Sequence, residues 1–158
     1  MIVAGVVKVT AADSYGRSTL LDLRRAGDGI GMLELFDERA RTSTVTAVGR
    51  ATLRLVPRNE FMLLLDRNPT VRMAVVGALA DRVRSTVEQR LGAADAVPVR
   101  FASCLLRLAD EFGERRDDGA LVIDLPISQD DLAMMVAASR DSVAKTLMAW
   151  RHRSIVET

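Results

Sequence analysis

Apolar residues recur along this chain with two different periods. Near the start, "IVAGVVKVT" (2 to 10), "STLLDL" (18 to 23), "STVTAVG" (43 to 49) and "ATLRLV" (51 to 56) are short, rich in β-branched residues and separated by Gly, Asp or Arg clusters. That pattern predicts strands, and strands in this number predict a sandwich or roll. After Pro57 the spacing changes to threes and fours. "PRNEFMLLLDRN" predicts a short helix, and a longer one runs from Pro69 to about Gly92. On it Val76, Leu79, Val83 and Val87 form a seam between charged flanks such as Asp81, Arg82, Arg84, Glu88 and Arg90. Such a seam suits a second copy of the chain or the chain's own sheet, and the charge of the flanks favours the second copy. "GAADAVPV" (92 to 99) is small and contains Pro98, so it predicts a hinge between residues 1–95 and residues 96–158. A further helix from about Val99 to Phe112, a polar loop "GERRDDG" and an extended stretch "LVIDLPI" follow.

The end of the chain, "SQDDLAMMVAASRDSVAKTL" (128 to 147), holds two amphipathic segments with Ala137-Ala138 at the turn between them. In the first, Ser128 and Asp131 have the spacing of a capping box, and Leu132, Met135 and Val136 fall on one side. In the second, Ser139 is an N-cap, and Val143, Leu147 and Trp150 share a stripe that can pack on the first helix. Successive helical residues turn by about 100°. Arg140, Asp141, Ala144, Lys145, Met148, Arg151 and His152 therefore project from the opposite side. A helix of this kind fits the major groove: Arg140 can bond guanine, Asp141 can accept from cytosine, and Lys145 can reach guanine or phosphate. Ser128, Ser139 and Arg151 are candidate phosphate contacts. An ordinary helical hairpin with a solvated charged face would carry the same residues.

Composition narrows the classes. At 158 residues with 49% apolar content the chain is globular. Its longest apolar run, Ala74 to Ala80, is too short to span a bilayer, and no secretory leader is visible, so a cytoplasmic location is expected. Cys104 and His152 are the only residues of their types. One chain thus offers no disulfide, no thiolate zinc site and no histidine-based triad, and no catalytic constellation is found. Cys104, among Phe101, Leu105 and Leu108, reads as a small core residue. The net charge of +1 is uninformative, but residues 139–153 hold four cations against one anion while residues 96–158 hold eight against ten. Positive charge in that part is concentrated on the last helix, where phosphate contact would need it.

In this order the elements resemble the cyclic-AMP receptor protein (Crp/Fnr) superfamily of bacterial transcription regulators. Four stretches carry the resemblance: "GDGIGMLELFDERARTSTVTA" (27 to 47), "VPRNEFMLLLDRNP" (56 to 69), "VPVRFASCLLRLADEFG" (97 to 113) and "ISQDDLAMMVAASRDSVAKTL" (127 to 147). The last is the most specific, since Ser139-Arg140-Asp141-Ser142-Val143 stands where members show a Ser-Arg-Glu-Thr-Val-like run. The resemblance implies an α+β fold: a partial β-roll sensor of the cyclic-nucleotide-binding kind, a long dimerisation helix and a C-terminal winged helix-turn-helix. It implies Arg140, Asp141 and Lys145 as base readers, with Asp141 one methylene shorter than the usual Glu. It also implies a phosphate-binding cassette in which Gly31, Leu33, Arg41 and Thr42 match, with Ser85 and Thr86 of the long helix facing the nucleotide base. Met32 departs from the pattern, standing where cyclic-nucleotide binders carry a glutamate that accepts from the ribose, and a thioether is a poor acceptor.

The expected partners are double-stranded DNA, a second copy of the chain, cyclic AMP or another small effector, and RNA polymerase. Members usually carry a helix and several strands before the segment matching Val3–Thr10, and continue the wing beyond "SIVET", so a shortened form of the family is expected. The rival reading is a dimerisation or ligand-binding module that pairs with a relative and does not bind DNA productively.

Overall fold

The computed structural model describes residues 1–16, 18–37 and 39–157. Glu38, inside the glycine-led stretch, and Thr158 lie outside the described residues.

Three antiparallel strands, β1 (Ile2–Ala12), β2 (Ser18–Arg25) and β3 (Thr44–Leu53), form one sheet in the order β2-β1-β3. The sequence predicted a break at Gly49-Arg50; the structure instead runs β3 through it. The register against β1 slips around Gly5, which has φ +82° and where a Cβ would lie 2.2 Å from the Arg50 carbonyl oxygen. A bulge at a glycine thus absorbs the irregularity that the sequence shows as an interruption. A second slip lies between β1 and β2: Thr10 faces Leu20 and Val9 faces Asp22, leaving Leu21 as the extra residue. Side chains alternate along a strand, so without the bulge at Leu21 the leucines at 20 and 23, three residues apart, would point to opposite faces. With it, both enter the same core.

Between β2 and β3 lies a short helix, α1 (Leu33–Asp37). After β3 come α2 (Arg58–Arg67) and α3 (Pro69–Leu91), the latter started by Pro69, whose missing amide costs nothing in a first turn. Leu65 and Val75 are buried. The predicted seam is not turned inward on the sheet: Val76, Val83 and Val87 are 52, 64 and 50% exposed. One 3₁₀ turn (Gly92–Ala94) leads to α4 (Val97–Phe112), which begins two residues earlier than the spacing suggested because Pro98 sits inside the first turn.

The predicted polar loop is in part a strand: β4 (Gly113–Arg115) pairs with β5 (Leu121–Ile123) as a hairpin. Its charged side chains hid it, since a hairpin at the surface needs no apolar alternation on its outer face. The chain closes with α5 (Gln129–Met135) and α6 (Arg140–His152). The main core gathers Phe101, Cys104 and Leu108 of α4, Ala133 and Val136, Val143 and Leu147 of α6, and Leu20 and Leu23 of β2. Burial raises the pKa of the Cys104 thiol, against the opposing pull of Arg107. That fits a packing role.

Candidate nucleic-acid interface and effector pocket

The start of α5 is fixed by the predicted capping box. Ser128 Oγ accepts from the Asp131 amide at 3.1 Å and donates to Asp131 Oδ2 at 2.8 Å, while the Ser128 amide donates to the same oxygen at 3.0 Å. The Ser128 hydroxyl proton is thus already engaged, and a phosphate must compete for it. Asp131 is buried and takes a further bond, from Lys8 Nζ of β1 at 2.9 Å. Desolvation pushes the Asp131 pKa up, but the bonds from Lys8 and Ser128 outweigh it and hold the carboxyl below its ordinary value. Nothing in the spacing of Lys8 and Asp131, 123 residues apart, announced this pair.

The turn between the helices places Ala137 at φ +48°, the left-handed conformation that glycine adopts without a Cβ clash. Arg100, which the sequence reading passed over, spans this turn. Its guanidinium donates to the carbonyls of Val136 at 3.0 Å and Ala137 at 3.2 Å, and to Asp95 in the segment before α4 at 2.6 Å. Two carbonyls at the end of α5, which have no helical partner of their own, are thereby satisfied.

Ser139 caps α6 by accepting from the Ser142 amide at 3.2 Å. Val143 and Leu147 are buried as the stripe predicted, and Trp150 continues it onto α4, stacking on Phe101 with ring centroids 5.3 Å apart. With that side anchored, Arg140, Asp141, Lys145, Met148, Arg151 and His152 are all exposed. Arg140 Nε lies 3.8 Å from Asp130, both side chains largely in solvent. Such a pair contributes about 0–1 kcal/mol and leaves the guanidinium free to turn away.

The predicted effector residues fall into two groups. Gly31, at φ +72°, lies against the Arg41 guanidinium, and a Cβ there would come 2.4 Å from Arg41 Nη1. Only a glycine lets the arginine approach this backbone. Leu33 opens α1, and Leu33, Arg41 and Thr42 are exposed. The Met32 side chain folds toward Gly29, where a Cβ would meet its Sδ at 3.1 Å, and it brings no strong acceptor. Ser85 and Thr86 instead line a cleft of about 510 Å3 between β2, α3 and α4, with Gly31, Leu33, Arg41 and Thr42 not among its lining residues. Thr86 Oγ1 donates to the Arg82 carbonyl at 2.9 Å. Among the described residues no helix is long and apolar enough to cross a membrane.

Residues 1–68 match the cyclic nucleotide-binding domain family, and residues 99–158 match the Crp-like helix-turn-helix domain family. Over 154 residues the chain is 31% identical to the CRP-like cAMP-activated global transcriptional regulator of Mycobacterium tuberculosis, covering 97% of this chain and 68% of that protein. It is 28% identical over 159 residues to the cAMP-activated global transcriptional regulator CRP of Salmonella typhimurium, covering 98% of this chain and 74% of that one. The fold is that of FixK2 from Bradyrhizobium japonicum, with a TM-score of 0.83 at 19% identity over 100% of this chain and 76% of that one. The two family matches fall on the sheet and on the capped helical pair in that order, and the chain belongs to the Crp family of transcription regulators.

Proposed function

We infer that the chain is a homodimeric, effector-responsive regulator that binds DNA in a sequence-specific way, with a sensor part over residues 1–95 and a DNA-reading part over residues 96–158. The observation that carries this reading is the division of α6 into a buried stripe and an exposed cationic face. In the bound state Arg140, Asp141 and Lys145 read base edges, and Ser139 and Arg151 hold phosphates, joined by Ser128 when it exchanges its bond to Asp131. Pairing of two copies along Val76, Leu79, Val83 and Val87 would present two such helices to half-sites about 34 Å apart. The exposure of that seam supports the dimer.

For the effector, Gly31 and Arg41 support an anion held by backbone and guanidinium together, as a cyclic phosphate would require. Cyclic AMP fits that phosphate end, while Met32 removes the partner for the ribose hydroxyl. The effector acts only by preferring one orientation of the two reading helices over another.

The test is a gel shift on a palindrome selected from random DNA, with Arg140→Ala and Lys145→Ala beside the wild type. Each variant is expected to lose about 1–3 kcal/mol, or roughly 5- to 150-fold, with Arg140→Ala also relaxing sequence preference. Wild-type binding by both variants with unchanged preference defeats the assignment of this face. Retained dimerisation with no DNA binding at low salt would instead favour a pairing module. Calorimetric titration with cyclic AMP and cyclic GMP then settles whether the Met32 site takes a cyclic nucleotide.

A further inference from the structure

In the cleft between β2, α3 and α4, three guanidiniums meet one carboxylate. Arg24 Nη2 lies 2.7 Å and Arg82 Nη1 3.1 Å from Asp22 Oδ2, and Arg107 Nη1 lies 3.8 Å from Asp22 Oδ1. Asp22 Oδ1 also accepts from the Leu23 amide at 2.9 Å. Four arginines and four acids line the cleft, and three of the arginines converge on the single carboxylate of Asp22. Of the other acids, Asp28 accepts from the Arg25 amide, Asp81 pairs with Arg84, and Glu111 lies 3.8 Å from Arg107. Desolvation, aided by the charge of Asp22, raises the Glu111 pKa against the pull of the arginines.

The site is accessible. The side chains of Arg24, Arg82 and Arg107 are 24, 32 and 25% exposed. The cleft they line, about 510 Å3, is far larger than an ion cluster needs and falls within the roughly 300–1,000 Å3 usual for small-molecule sites. Ser85 and Gln89 line it as well, giving polar groups for the rest of a ligand.

We propose that this cleft binds a phosphate monoester, whose phosphate takes the place of the Asp22 carboxylate among Arg24, Arg82 and Arg107. A carboxylate is planar and offers two oxygens and one charge to three guanidiniums. A monoester phosphate offers three terminal oxygens, one for each, and its second pKa of about 6 makes it mostly a dianion at neutral pH. A cyclic diester has only two free oxygens and a single charge, so the chemistry here differs from that of the Gly31–Arg41 site. Asp22 is on β2, Arg82 on α3 and Arg107 on α4, so the exchange releases a bond that ties the sheet to the DNA-reading part. The proposal goes beyond the function inferred above, and its primary readout involves no DNA, so either can fail without the other.

The experiment is calorimetric titration of the full chain with adenosine 5′-monophosphate. Saturable binding is expected, about tenfold tighter in Asp22→Asn, which removes the competing carboxylate, and about tenfold weaker in Arg82→Gln. Affinity should fall as the pH drops below about 6. Saturating cyclic AMP should leave it unchanged. No binding by either the wild type or Asp22→Asn, an Asp22→Asn affinity no higher than wild type, an unaffected Arg82→Gln, or full competition by cyclic AMP overturns the proposal. If circular dichroism shows Asp22→Asn unfolded, the comparison of wild type with Arg82→Gln, a change on the surface of α3, decides alone.

Discussion

The helical pair α5–α6 and the sheet β1–β3 are held by opposite kinds of contact. The pair is specified locally: Ser128 with Asp131, Ser139 with Ser142, and apolar residues three and four apart. The sheet is specified at long range. Its best-buried leucines, Leu20 and Leu23, complete a core made otherwise by the C-terminal helices, and its Lys8 neutralises the buried Asp131 of α5. The difference teaches that the core under the C-terminal helices is not theirs alone. The sensor sheet supplies part of the packing on which the DNA-reading helices rest.

The most direct way to break that view is Leu23→Ala, which empties a site 2% exposed. A loss of about 2–4 kcal/mol is expected, and the fluorescence of Trp150, the only tryptophan, should report it in the same melting transition as the far-ultraviolet circular dichroism of the whole chain. If Trp150 melts at the wild-type temperature while the sheet melts early, the shared core is refuted.

Lys8→Gln sharpens the comparison by cutting the polar link alone. A half-buried pair of this kind is worth about 1–2 kcal/mol at neutral pH. The sign with pH follows from the lowered pKa of Asp131. A carboxyl depressed in the folded state stabilises it above the unfolded pKa, near 4, and that stability drains away as pH falls through the folded value. Wild type should therefore lose stability in acid below about pH 4. Lys8→Gln, with less depression to lose, should fall less steeply over the same window in a urea series at each pH.

The smallest effect belongs to the local side. Ala137→Gly relieves a left-handed alanine and should gain about 0.5–1 kcal/mol, measured by thermal denaturation, without moving the sheet. A loss on this substitution would mean that the turn is set by something other than its own backbone.

What the sequence made legible follows the same line. Caps, turns and helical stripes are short-range, so α3, α5, α6 and the exposed face from Arg140 to Arg151 could be read residue by residue. The grouping of Gly31 with Arg41 was legible only through family resemblance, because nine residues lie between them. Lys8–Asp131, Asp22–Arg82 and the bonds of Arg100 left no trace, since a charged residue on a strand or helix reads as surface whichever partner folding brings to it. The Leu21 bulge was hidden for a related reason. One inserted residue changes which face every later side chain takes, and the alternation on either side looks ordinary.

The grip of Arg100 has a mechanical consequence. One end of its fork holds the segment leaving α3, and the other holds the bend in front of α6. A rotation at residues 92–96 cannot be taken up as slack there. It must either sever those bonds or swing the reading helix with it, so that stretch of chain works as a crank and not as a tether.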